Sequence, residues 1–363
     1  MLKDGKIVAV VRHLHSDVSK IFLYVAASIA LGAAISPWLY NLGMGLAEVT
    51  EGKETNGLIS WLGTHARNAK DNFPRYFDRS LLLAAVALLF PLLSWLKIGR
   101  ESGRHRDTPW SLRLPDAVVA MDRGQPLRRN PDGLRQGAIG FLFAAGLLLA
   151  AGWLMVQAGL FMWRDAAAST SGVHNPAVVD IEWWKALRKS FSSAFVVATI
   201  EEVFFRGVLL GIFLRAMKPG PAIAALSFLF AFVHFLEPPA GSSVPDPEAM
   251  NAGFILLGQI FSRFADPMSF SGRFMVLASV GVVLAMARWR TGSLWLPIGL
   301  HAGWVFAYGI FKAVTWPVAN LPEMARWLVG VSLLEGLFPL TMMVITGLLV
   351  AFLTRPRDEA ERA

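Results

Sequence analysis

The chain has 363 residues, of which 55% are hydrophobic and only 17% charged, and its mean hydropathy is +0.49. A soluble domain carries about 25% charged residues, so this composition, with its apolar residues in long blocks, predicts a polytopic membrane protein. The formal net charge of +8 does not mark a nucleic-acid binder, because the basic residues gather in segments between apolar blocks, where they orient membrane proteins; with no cysteine in the chain, disulfides, cysteine nucleophiles and thiolate metal sites are excluded.

The polar start, Met1 to Lys20, precedes an apolar run that is too long and too far in for a cleaved signal peptide. Stretches of about 20 apolar residues predict about eight spans, near 21–48, 80–97, 137–162, 190–216, 221–237, 273–289, 293–313 and 331–353. The expected fold is an all-α, polytopic bundle of transmembrane helices. Lys3, Lys6, Arg12 and Lys20 precede the first span, and the segment 98–135 holds Arg100, Arg104, Arg106, Arg113, Arg123, Arg128, Arg129 and Arg135. Arg215 and Lys218, Arg288 and Arg290, and Arg355, Arg357 and Arg362 follow later spans. All of these fall on one side if both termini are cytoplasmic. Lys53, Arg67, Lys70 and Arg75 in the 50–78 segment run against that pattern. Trp38, Trp95, Trp163, Trp289, Trp295 and Trp327 are expected near membrane interfaces. Residues 181–189 read as a short interfacial helix leading into the fourth span. The 238–272 segment opens with Pro, Gly and Ser and turns apolar at Ala252 to Phe261, as a surface helix or a flap would. Three regions follow: 1–184, an N-terminal transmembrane region with the basic segment; 185–315, which holds the polar motifs; and 316–363, a last helix and tail.

Glu201 and Glu202 stand in the middle of an apolar stretch, where an acidic group costs roughly 2.5–3.5 kcal/mol even on lenient insertion scales. Glu202 and Arg206 are four apart and share a helix face, acid before base, so they can pair. Glu201 is rotated by about 100° from Glu202, which leaves it to face a cavity. The bland alternative puts both glutamates in one helix–helix polar network. His234 and His301 lie inside two other apolar blocks. Each alone reads as a packing residue. Together with Glu201, at similar notional depth, they suit general-base activation of a water or a metal site of two histidines and a carboxylate. No His-Glu-x-x-His occurs, so the common zinc-protease helix is excluded. Buried Glu and His also suit a proton-coupled transporter, although no pair of broken helices in matching halves is visible.

Glu201-Glu202-x-x-x-Arg206, then Phe230-x-x-x-His234, then His301 on a later span resembles the CPBP family of intramembrane proteases. That family groups the type II CAAX prenyl endopeptidases with bacteriocin-processing and immunity (Abi) proteins. The resemblance covers roughly residues 185–315. It implies an intramembrane endopeptidase, a hydrolase often labelled a metalloprotease. Its substrate would be a membrane-associated protein or peptide, with the bilayer as its other partner, at the bacterial inner membrane. It implies Glu201 as the catalytic glutamate, activating water with His234, His301 as an oxyanion stabiliser, and Glu202, Arg206 and Phe230 as support. No cofactor is required in that mechanism; Zn2+ held by Glu201, His234 and His301 is the alternative. One position departs: four residues after the last histidine the family often has Asn or Asp, and here stands Val305. Valine donates no hydrogen bond, and losing one oxyanion donor costs about 10²–10³ in rate. A non-catalytic CPBP-fold protein that binds a peptide or partner, in an immunity or scaffold role, is therefore the alternative function.

Overall fold

The computed structural model describes residues 2–51, 57–67, 69, 72–96, 132–164, 183–239, 241–318, 327–330 and 332–354. Most of the basic 98–135 segment, whose residues 109–123 the sequence reads as another stretch lying on the membrane surface, and the tail after residue 354 lie outside the described residues. In chain order the elements are α1 (Leu2–Thr50), α2 (Leu58–Arg67), α3 (Phe73–Trp95), α4 (Gly133–Gln157) and a short strand β1 (Phe161–Trp163). Then come α5 (Trp183–Glu202), a π-helix (Val203–Leu209), α6 (Leu210–Ala216), α7 (Pro219–His234) and α8 (Ala252–Ser262). Last are α9 (Pro267–Thr291), α10 (Trp295–Val314), β2 (Thr315–Pro317) and α11 (Leu337–Leu353). The fold is helical as expected, with one departure: β1 and β2 pair as an antiparallel ribbon. The chain forms two compact units, each discontinuous in sequence: residues 1–103 with 232–270, and 104–231 with 271–363.

In the first unit α1 carries Pro37 in its interior and packs on α3. Ser80 Oγ donates to the Gly32 carbonyl at 2.7 Å and Tyr24 Oη to the Ala85 carbonyl at 2.7 Å. Both bonds satisfy polar groups that an apolar setting would otherwise penalise. Tyr40 meets Phe73 and Tyr76 edge-on in a core that also holds Phe77, Leu256 and Ile260. Asn72 caps α3 by accepting from the Arg75 amide at 3.2 Å, with Pro74 at the first turn where its missing N–H costs nothing. The apolar part of the 238–272 segment is α8, and it lies against α1. Gly253 makes this possible, because a Cβ there would run into the Ala33 carbonyl and Ser36 Oγ.

In the second unit α4 and α10 run side by side over most of their lengths. Small residues let them approach: a Cβ on Gly299 would strike the Gly137 carbonyl, and one on Gly303 the Phe141 carbonyl at 2.5 Å. α5 packs on the same α10 through Ala194, Ala198 and Ala302. The expected interfacial helix at 181–189 is the first two turns of α5, with Trp183 and Trp184 exposed. α4 closes in a Schellman turn: Leu160 N–H reaches the Met155 carbonyl and Gly159 N–H the Val156 carbonyl, with Gly159 at φ 71°. That turn delivers the chain into β1. α7 begins in this unit and its last turn, Phe232 to His234, falls in the first.

Among the described residues four helices are long and apolar enough to cross a membrane: Asp17–Thr50, Phe73–Trp95, Gly133–Gln157 and Phe270–Thr291. They fall at the first, second, third and sixth expected spans, and the count of about eight is not confirmed. The difference has physical causes. α7 and α11 are apolar but short, at 16 and 17 residues. The glutamate segment is charged and changes helix type at Val203. α10 carries His301, Tyr308 and Lys312 among its apolar residues. Trp95 and Trp163 end their elements, Trp289 lies in the last turn of α9 and Trp295 opens α10, whereas Trp38 lies inside the apolar run of α1.

Candidate active site

α5 ends at Glu202 and passes into the π-helix without a break, the Leu210 amide reaching back five residues to the Phe205 carbonyl. Such wide turns recur at functional sites. This one places Glu201, Glu202 and Arg206 within two turns of each other, opposite the middle of α10. Glu202 and Arg206 are fully buried and Arg206 Nη1 donates to Glu202 Oε1 at 2.8 Å. Arg206 Nη2 also points at the Gly281 carbonyl of α9, 3.5 Å away. Its guanidinium lies 4.4 Å over the Phe230 ring of α7, where the ring quadrupole favours a cation. A buried charge needs a partner and hydrogen bonds, and Arg206 has both.

His301, from α10, joins the same carboxylate. Its Nδ1 lies 2.8 Å from Glu202 Oε1, and its Nε2 lies 3.9 Å from Glu201 Oε2. The two glutamates thus flank one imidazole from opposite edges. The rotation of about 100° between them brings each to a different nitrogen of the ring. The contact is a hydrogen bond when Nδ1 carries the proton and the Glu202 oxygen accepts it. Nε2, on the other edge of the ring, is directed at Glu201. The 3.9 Å gap is too long for a direct hydrogen bond and of the size one bridging water spans. Glu202 Oε2 and Arg206 Nε are buried with no hydrogen bond among the described residues. The Phe230 ring stands edge-on to His301 with centroids 6.2 Å apart.

Of the six residues singled out in sequence, five come together in the second unit: Glu201, Glu202, Arg206, Phe230 and His301. His234 is the last residue of α7, half-buried, and belongs to the first unit. The Gly281 carbonyl and the π-helix are parts of the site that sequence did not suggest. A backbone acceptor and a one-residue widening of a helix leave no composition signal. Gly281 also lets α9 close on α7, since a Cβ there would sit 2.9 Å from Ser227. Val305 packs with Ala194, Ala198 and Ala302 in the α5–α10 contact. The exchange of a polar residue for valine is thus absorbed as helix packing.

Among the described residues no group of three or more His, Asp or Glu side chains is placed to hold a metal ion. Glu202 Oε1 is committed to Arg206 and His301; among the described residues of the second unit the site's other ligand atoms are Glu201 Oε2, His301 Nε2 and Glu202 Oε2. A catalytic zinc takes three protein ligands, and the set expected from the sequence also needs His234, which belongs to the first unit. A cavity of about 530 Å³ lies between α4, α5 and α10, lined by Gly137, Phe141, Phe195, Thr199, Trp295 and Ile298 among others. Thr199 is the one hydroxyl among its lining residues, so this space is apolar.

The sequence profile of the family described as "Type II CAAX prenyl endopeptidase Rce1-like" matches residues 183–307. The matched segment contains all six residues above and supports the resemblance that the motifs carry. No curated protein and no solved structure matches the chain.

Proposed function

We propose, taking residues 183–307 as a type II CAAX prenyl endopeptidase-like segment of the CPBP family, that this integral membrane protein is an intramembrane endopeptidase hydrolysing a peptide bond of a membrane-associated protein or peptide. The observation that carries the reading is the imidazole of His301 flanked by two carboxylates, one buried and locked to Arg206, the other 27% exposed. A locked carboxylate orients, and a partly exposed one can work on water.

In the proposed reaction Glu201 takes a proton from a water, with His234 assisting. The water oxygen bonds to the carbonyl carbon, and the carbonyl oxygen becomes an oxyanion. The proton then passes to the leaving nitrogen as the C–N bond breaks. His301 has its Nδ1 proton tied to Glu202, so it donates to the oxyanion only as an imidazolium, through Nε2. Glu202 and Arg206 fix the ring. The apolar cavity beside Thr199, one turn from Glu202, gives room for an apolar part of the substrate. No step is routed through a metal. The site is set in the inner membrane of a bacterium, with both termini cytoplasmic.

The test is cleavage of membrane-anchored peptides by the purified protein in detergent. Wild type is expected to cleave, and His234→Ala to be inactive. A fully active His234→Ala protein removes His234 from the mechanism. The non-catalytic reading, which Val305 motivates, is favoured instead by peptide binding without any product.

A further inference from the structure

The end of the second unit away from the basic 98–135 segment carries an unusual group of side chains. α4 begins directly after the basic 98–135 segment, and α10 begins just after Arg288 and Arg290. Both helices run to the β1–β2 ribbon, in which Met162 faces Trp316. One side of the ribbon is anchored: Phe161 is buried, edge-on to Phe311 at 4.9 Å, with Met155, Val329 and Leu333 around it. Trp163 and Trp316 are exposed. The Arg164 guanidinium lies 4.1 Å over the Trp316 ring, and its Nη2 donates to the Lys312 carbonyl at 2.9 Å. Lys312 itself is exposed in the last turn of α10.

The contact with the Lys312 carbonyl caps α10, which accounts for one of the five donors of Arg164. It does not account for the guanidinium lying on the exposed Trp316 ring. Neither Arg164 nor Lys312 has a carboxylate partner among the described residues; Asp165 lies outside them. Lys185, Arg188 and Lys189 in the first turns of α5 stand at this same end, since Ser190 of α5 meets Gly309 near the end of α10, so this end of the second unit is basic. Exposed tryptophans beside them are the side chains that settle at headgroup level. Arginine held flat on a ring presents its fork to a phosphate.

We infer that the ribbon is a phospholipid anchor: Arg164, stacked on Trp316, and Lys312 hold the phosphate of an anionic lipid headgroup, with Trp163 and Trp316 in the interface beside it. The site is separate from the glutamates and does not depend on the peptidase reading. The experiment is native mass spectrometry of the protein in a neutral detergent, titrated with phosphatidylglycerol, with phosphatidylcholine, and with inorganic phosphate. Phosphatidylglycerol is expected to be retained well above phosphatidylcholine. Neutralising one cation, as in Lys312→Gln, is expected to weaken its retention about fivefold. That variant leaves the Lys312 carbonyl, and so the α10 cap, in place, and it is expected to fold. Arg164→Gln with Lys312→Gln is expected to weaken retention tenfold or more. Equal retention of both lipids by wild type overturns the proposal, as does unchanged retention in Lys312→Gln. Displacement of phosphatidylglycerol by inorganic phosphate at low concentration would identify the ligand as free phosphate and overturn the headgroup assignment. An Arg164→Gln protein that loses thermal stability but keeps its lipid would leave Arg164 as a helix cap only, and overturn it too.

Discussion

Glu202 Oε1 accepts from two donors at once, Arg206 Nη1 and His301 Nδ1, each at 2.8 Å. Half of this was readable in the sequence. A spacing of four puts Glu202 and Arg206 on one face in the favourable order. The other half was not, because 99 positions separate Glu202 from His301 and helical periodicity says nothing about which face of a distant helix arrives opposite. Removing Arg206 leaves a buried carboxylate with one partner fewer, which typically costs roughly 3–5 kcal/mol. Arg206→Ala is therefore expected to lower the thermal unfolding temperature in detergent markedly. Glu202→Gln keeps a hydrogen-bonding amide and is expected to cost less stability. It loosens the hold on His301, so its cleavage rate is expected to fall more than its stability does. An Arg206→Ala protein as stable as wild type would show that the pair does not hold the site together. Glu201→Gln is expected to abolish cleavage, by a factor of at least ~10², while the protein still inserts and purifies. Full activity in that variant would remove Glu201 as the base.

At the scale of elements, the helices with strong apolar character were legible, and the start of α8 at Ala252 coincides with the apolar turn of its segment. The π-helix was not legible: it differs from an α-helix by one residue per turn, and no residue type demands it. The closeness of α4 and α10 was hidden for a related reason. Gly137, Gly140, Gly299 and Gly303 read as ordinary glycines of membrane helices until the two faces are seen against each other. Since His301 sits between Gly299 and Gly303, the crossing that they permit also sets how far the imidazole projects toward Glu202. Gly299→Val is expected to force α10 away from the Gly137 carbonyl, at a cost of about 1–3 kcal/mol for overpacking. Thermal unfolding and cleavage should fall together. Normal stability with normal cleavage would mean that the contact yields without moving His301.

For the whole molecule, composition was enough to place the chain in a membrane, since 17% charged residues leave too little polar surface for a soluble fold of this length. The number of crossings was not, because hydropathy windows join short helices to their flanks. Orientation is open to a direct test: reporter fusions after Arg357 and within 104–129 are both expected to give cytoplasmic signals. A signal from the far side at either place contradicts the charge pattern. The length of α1 has a consequence for the lipid as well. Its apolar part, Asp17–Thr50, has 34 residues; at about 1.5 Å per residue it is about 51 Å long, against a hydrocarbon core of about 30 Å. A helix so much longer than the core tilts, bends at Pro37, thickens the bilayer around it or carries its polar ends, with Asp17, Lys20 and Glu48, out among the headgroups. The first unit thus carries a built-in mismatch, relieved in thick membranes and aggravated in thin ones. Its thermal stability should rise as the acyl chains of the reconstituting lipid are lengthened.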